Sequence, residues 1–315
     1  MSATTRDKGF FVSGLMPRLR AYTLKTLMSA ADHLTAAVTH SHPPPPLRGI
    51  VRNVAYGPHR QQRLDVIPPS TDPPWPALIF VHGGGWVAGH KAIYTAPCRR
   101  LAGEGFCVFN LNYRLAPFTP WPGQLEDVAA AIGWVQRHAT DYGAAPAALA
   151  LAGDSAGAHL VSLYSATLHR PGLREKLGLD ATVPASPVRA LALFYGAYDI
   201  AALAHVDYPF AQTMFHMLVG SGAGAADRAV AASPIYHLGP DIPPCFITVA
   251  ERDGLYPQSV RFAGKLAECG VPHRTLFFDK NDYPSANHGF LYLHWRTPAR
   301  LAIRAAADFI NQHMA

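Results

Sequence analysis

The chain has 315 residues, 49% of them hydrophobic and 15% charged. That charge fraction is well below the globular average of about 25%, which excludes a disordered chain and favours a large buried core. A formal charge of +6 is spread over scattered Lys and Arg residues. Without a dense basic run or an aromatic-interleaved patch, it gives no nucleic-acid footprint.

Residues 1–46 are expected to form a separate helical segment and linker. From Phe11 to Val38 apolar residues recur at helical spacing (Val12, Leu15, Leu19, Leu24, Leu27, Met28, Ala31, Leu34, Val38), which predicts an amphipathic, broken helix that caps the main domain or meets lipid. His42 and Pro43 to Pro46 then stop any helix and predict a stiff linker. The N-terminus lacks the apolar core of a secretory signal, and no stretch reaches the length of a membrane span. Cys98, Cys107, Cys245 and Cys269 lack metal-type spacing, so free thiols and a cytoplasmic location are expected.

Residues 47–315 are expected to form one catalytic domain. Ile50 to Tyr56 and Gln62 to Ile67 predict an antiparallel opening pair joined through Gly57-Pro58-His59-Arg60. Ala77 to Val81 is a continuous apolar strand, followed by a strand over Phe106 to Asn112, a helix over Leu125 to His138 and a strand over Leu149 to Ala152. Strands at Val188 to Tyr195, Cys245 to Ala250 and Arg274 to Phe278 continue the series, with helices over Pro257 to Glu268 and Pro298 to His313. This alternation implies an α/β fold, with a mostly parallel, twisted sheet, helices on both faces and ligands at the carboxyl ends of the strands. Residues 200–232 break the rhythm, and Tyr208, Phe210, Met214, Phe215, Met217 and Leu218 predict a helical insertion.

Gly153-Asp154-Ser155-Ala156-Gly157 lies between a strand and a helix. A Gly-x-Ser-x-Gly turn in that setting is a nucleophile elbow, and the N–H of Ala156 at the start of the helix favours a developing negative charge. A serine alcohol needs a base, itself oriented by a carboxylate. His288, in the turn-rich Asn287-His288-Gly289-Phe290, is placed after the last strand. Asp253 follows the strand Cys245 to Ala250 and gives the chain order Ser, Asp, His. Asp199, Asp279 and Asp282 are its rivals. His82-Gly83-Gly84-Gly85-Trp86 directly follows a strand and can present backbone N–H groups to an oxyanion. A phosphate-binding reading is weak, because neither a Walker nor a Rossmann pattern is formed.

Together with Tyr113-Arg114-Leu115-Ala116-Pro117, Leu125-Glu126-Asp127-Val128 and His288-Gly289-Phe290, these motifs resemble the hormone-sensitive-lipase-like branch of α/β-hydrolase esterases over roughly residues 50 to 315. The resemblance implies an α/β-hydrolase fold with a helical cap, Ser155 as nucleophile, His288 as general base, Asp253 as orienting acid, and Gly84, Gly85 and Ala156 as oxyanion-hole donors. It further implies a serine carboxylesterase of short to medium acyl esters that works through an acyl-enzyme, with no cofactor and no metal. Its partner would be a small-molecule ester, and a homodimer is an open alternative to a monomer. Arylformamidase or amidase chemistry on the same triad is the alternative reading, and a non-catalytic binding relative the more remote one. Phe118 replaces an acidic residue of the family pattern, Gly254 replaces a proline beside the acid, and the stretch Lys280 to Asn287 is long and polar.

Overall fold

A computed structural model describes residues 15–44, 49–179, 188–206 and 210–314, with residues 15–18 traced by backbone alone. Phe11, Val12, the side chain of Leu15, Pro45, Pro46 and Tyr208 lie outside that description.

Eight strands form one sheet in the order β1-β2-β4-β3-β5-β6-β7-β8. They are β1 (Val51–Ala55), β2 (Arg63–Ile67), β3 (Trp75–Val81), β4 (Cys107–Leu111), β5 (Ala144–Asp154), β6 (Val188–Phe194), β7 (Cys245–Ala250) and β8 (His273–Phe278). β2 runs antiparallel to both β1 and β4, and every other neighbouring pair is parallel. The helices are α1 (Leu15–His40), α2 (Thr95–Gly103), α3 (Gly123–His138), α4 (Ala156–Thr167), α5 (Pro171–Lys176), α6 (Ile200–Leu203), α7 (Ala211–Val219), α8 (Ala225–Ala231), α9 (Tyr256–Glu268) and α10 (Thr297–His313).

The period-2 geometry of the strands divides the core into two layers. Ala77, Ile79, Val81, Leu149, Leu151, Leu191, Leu193 and Ile247 point to one face, where α3, α4 and α9 supply Val128, Ile132, Leu160, Leu163, Phe262 and Leu266. Leu78, Phe80, Val108, Ala150, Ala152, Ala190, Ala192 and Phe246 point to the other, against Cys98 and Leu101 of α2 and Ala299, Ala302, Ile303 and Ala306 of α10. The central strands are buried on both faces, which is why they read as unbroken apolar runs rather than alternating ones. Each fully buried Leu, Ile, Val or Phe stabilises the fold by about 1.5–3 kcal/mol relative to exposure.

Two expectations change. The N-terminal helix is unbroken over Leu15–His40, since Pro17 falls in its first turn, where a missing N–H is harmless. A helix over Thr95–Gly103 was not anticipated. Its sequence, TAPCRRLAG, has little apolar periodicity, and only Cys98, Leu101 and their small neighbours seal the sheet. The insertion is helical, as expected, and divides into α6, α7 and α8. Among the described residues no helix is long and apolar enough to cross a membrane, and all four cysteines are free.

Candidate active site

Four strands deliver the site at their carboxyl ends: the glycine loop after β3, the elbow after β5, Asp253 after β7 and His288 after β8. At the elbow, Ser155 has φ 49° and ψ −117°, a left-handed backbone conformation that a non-glycine residue adopts at a cost of about 1–3 kcal/mol. The turn is over-determined by its surroundings. Ser155 N–H donates to the carbonyl of Phe194 at 2.8 Å, and His159 N–H donates to that of Ser155 at 3.1 Å. A side chain on Gly157 would collide with the carbonyl of Val81, and one on Gly153 would lie 2.6 Å from the carbonyl carbon of Gly157. Only glycine fits either position.

His288 bridges the serine and the acid. Its Nε2 lies 3.1 Å from Ser155 Oγ and its Nδ1 2.8 Å from Asp253 Oδ2. The Asp253 side chain is fully buried, whereas that of His288 is 22% exposed, so the imidazole is reachable from solvent while the carboxylate is not. Asp253 Oδ1 accepts the N–H of Leu255 at 2.8 Å, and the N–H of Tyr256 donates to the Asp253 carbonyl at 2.9 Å. These bonds fix the acid loop although Gly254 stands where the family pattern has proline. The long polar approach to His288 folds into turns, with Tyr283 N–H on the Asp279 carbonyl and Ala286 N–H on that of Tyr283. The imidazole packs edge-on against Tyr195, with centroids 4.9 Å apart.

The rival carboxylates are engaged elsewhere. Asp199 caps α6 by accepting Ala202 N–H at 3.0 Å, and it pairs with Arg261 at 2.9 Å. Asp279 accepts the N–H groups of Asn281 and Asp282, which hold its carboxyl below the usual range, and Asp282 is exposed.

Gly84, Gly85 and Trp86 all have positive φ (116°, 57° and 64°). The Gly84 carbonyl closes the turn by accepting Val87 and Ala88 N–H, and a side chain on Gly84 would meet the carbonyl of Ala88. Gly85 and Ala156 line a small cavity beside Ser155, together with Trp86, Leu203, Met214 and Leu255. A side chain on Gly85 would lie 2.8 Å from Met214 Cε. Gly84 stands one residue behind.

Sequence reasoning missed the supports of this loop. Asp154 Oδ1 accepts Gly83 N–H at 2.7 Å and Oδ2 accepts the Tyr94 hydroxyl at 2.9 Å, while Tyr94 Oη lies 2.7 Å from Tyr292 Oη. Burial pushes the Asp154 carboxyl up to about 6, against these hydrogen bonds. His82 donates from Nδ1 to the Gly83 carbonyl at 2.6 Å and stacks on Tyr113, and burial lowers its pKa to about 3, so it is neutral. His159, lowered to about 4 by burial, accepts from Trp86 Nε1 at 3.1 Å on Nδ1 and donates from Nε2 to the carbonyl of Ala232 at 2.7 Å. The available signal was local: His159 lies four residues after Ser155, one helical turn on, and Trp86 follows the glycines. From the N-terminal side, Asp32 accepts Gly89 N–H at 2.8 Å, and Lys25 donates to the Val87 carbonyl at 2.8 Å.

Strand order, elbow and the Ser-His-Asp contacts define the molecule as an α/β-hydrolase by fold. Residues 64–266 match the BD-FAE family, and the chain belongs to that family and, with its esterase relatives, to the hormone-sensitive-lipase-like α/β-hydrolases. It is similar to esterase LipQ of Mycobacterium tuberculosis, 30% identical over 75% of this chain and 55% of that protein. Similarity to the probable carboxylic ester hydrolase LipM of the same organism is 33% over 75% of this chain and 54% of LipM. The chain thus spans about half the length of these relatives. Among solved structures, EstE1, a carboxylesterase cloned from a metagenomic library, superposes with a TM-score of 0.73 at 25% identity, covering 94% of this chain and 98% of EstE1. Esterase B of Lactobacillus rhamnosis shares the fold with a TM-score of 0.82 at 23% identity, over 95% of this chain and 96% of that one.

Proposed function

We propose that this protein is a serine carboxylesterase that hydrolyses small-molecule esters with short acyl chains through an acyl-enzyme. The observation that carries this reading is the bridge from Ser155 Oγ through His288 to Asp253, at 3.1 and 2.8 Å, on an elbow turn. In this mechanism His288 Nε2 takes the Ser155 proton as Oγ attacks the ester carbonyl. Asp253 keeps the Nδ1–H tautomer and stabilises the imidazolium. The N–H groups of Gly84, Gly85 and Ala156 receive the oxyanion, each donor lowering the barrier by about 3–4 kcal/mol. His288 then returns its proton to the leaving alkoxide, and a water activated by the same imidazole releases the acid.

The short acyl preference rests on the cavity beside Ser155, which is about 10 Å³ and lined by Leu203 of α6 and Met214 of α7. That is room for about one water-sized group, so medium chains require Met214 to move. In this reading α1 and α6 to α8 form the cap. The esterase names of LipQ, LipM and EstE1 support the same chemistry.

The test is a chain-length series of nitrophenyl esters beside a formyl-aryl amide. Acetate and propionate should be the best substrates, the amide should be poor, and Ser155→Ala should lose at least about a thousandfold in kcat. A Ser155→Ala variant with more than a tenth of wild-type turnover would overturn the assignment. Preference for the amide would move the protein to the arylformamidase reading.

A further inference from the structure

A second cavity, of about 640 Å³, opens between α2 and α10, and its walls carry Arg99 and Arg100 from one helix and Arg300 and Arg304 from the other. It shares no lining residue with the cavity beside Ser155. Elsewhere two partly buried arginines pair with carboxylates, Arg114 with Asp127 and Arg170 with Asp241, while Arg63 and Arg228 bond backbone carbonyls. Among the described residues no carboxylate stands within ion-pair distance of Arg100, Arg300 or Arg304. Glu104, at the rim of the groove, is the single acidic side chain among its lining residues. Arg100 instead donates from Nε to Nδ1 of His294 at 2.8 Å, and His294 is held toward its neutral form by burial. Partial burial, and after it the field of Arg300, lowers the pKa of the Arg100 guanidinium.

The charges on α10 are also placed against helix energetics. Arg300 and Arg304 are four residues apart on one face, where like charges repel, and Arg296 precedes them by four more. Arg296 caps the N-terminal end and Arg300 follows one turn in, where the dipole favours anions, and the first turn has no acidic residue. An anion in the groove would reverse both penalties at once. Guanidinium forks from two helices suit bidentate contacts to oxyanions. The hydroxyls of Ser70 and Thr71 add polar contacts on the wall, and the volume lies in the range of small-molecule sites, larger than one inorganic phosphate needs.

We propose that the groove between α2 and α10 is a binding site for a free, multiply charged oxyanion of the di- or triphosphate type, separate from the cavity at Ser155. Phosphate groups span the arginines of α2 and α10, and the rest of the ligand fills the groove toward Ser70 and Thr71.

The experiment is calorimetric titration of the full chain with tripolyphosphate, against sodium chloride at matched ionic strength. Saturable binding with a stoichiometry near one is expected. R300Q/R304Q should weaken it by about tenfold or more, and R300K/R304K, which keeps the charge but loses the forks, should fall between. Both variants change exposed positions of α10, and their circular dichroism reports folding. R137Q/R189Q, which removes the same charge at positions that do not line the groove, should bind like the wild type. A response equal to that of sodium chloride, or equal weakening in R137Q/R189Q, would overturn the site in favour of non-specific screening. Vesicles bearing phosphatidate form a separate arm, and binding to these without binding to tripolyphosphate would overturn the free-ligand proposal.

Discussion

Asp253 and Asp199 are both buried carboxylates that follow a strand of the sheet, and their hydrogen bonds assign them different work. Asp253 faces His288 Nδ1, whereas Asp199 serves Ala202 N–H, Arg261 and the hydroxyl of Tyr236. Asp253→Asn is therefore expected to lower kcat by about 10³–10⁴-fold by favouring the wrong imidazole tautomer. Asp199→Asn should keep turnover within about twofold and cost on the order of 1 kcal/mol of stability as the cap and ion pair weaken. Steady-state kinetics with urea unfolding of both variants distinguishes these effects, and a larger kinetic loss in Asp199→Asn would show that the acid is misassigned. Sequence alone could rank these residues only by chain order. What separates them is the company they keep in space, such as Gln258 bonding back to the Asp199 N–H, and such pairings leave no local pattern. The Asp154-Tyr94-Tyr292 chain escaped notice for the same reason, since its members are up to 198 residues apart.

At the level of elements, α7 carries the specificity argument, because it buries Met214 to 4% exposure over Gly85 at the edge of the cavity. Met214→Ala should enlarge that cavity and raise kcat/KM for butyrate and hexanoate relative to acetate. Each additional buried methylene contributes about 0.8 kcal/mol, roughly fourfold. The same change should destabilise the fold by about 2–3 kcal/mol through the space it leaves. An unchanged chain-length profile in a folded variant would place the acyl chain elsewhere. Elements of this kind were legible to different degrees. Strands β3 to β7 announce themselves because burial on both faces demands unbroken apolar runs. Helix α2 does not, as the sheet needs only Cys98 and Leu101 from it, and its arginines face the groove. For α7 the sequence foretold a helix but not which methionine meets Gly85, since that depends on how the insertion docks.

At the scale of the whole molecule, α1, part of the proposed cap, is bonded to the loops around the site. Its inner face buries Ala21 and Leu24, and it sends Lys25 to the Val87 carbonyl and Asp32 to Gly89 N–H. At its far end, Thr39 donates to the Tyr292 carbonyl at 3.2 Å, and His294 Nε2 lies 3.3 Å from the Thr39 carbonyl. The helix thus ties the glycine loop to the segment that follows His288, alongside the Tyr94-Tyr292 and Arg100-His294 contacts. A pure lid would govern which esters enter, and its removal would spare acetate. A clamp also governs how the donors and the base are aligned, and misplacement of about 1 Å is enough to cost on the order of a hundredfold. Deleting residues 1–40 is therefore expected to lower kcat for acetate by about tenfold or more, in addition to flattening the chain-length profile. Asp32→Ala, which leaves α1 in place, should reproduce part of the kcat loss without the change in profile, and so keeps the question open to experiment should the truncated chain fail to fold. Full acetate turnover in both variants would reduce α1 to a cover.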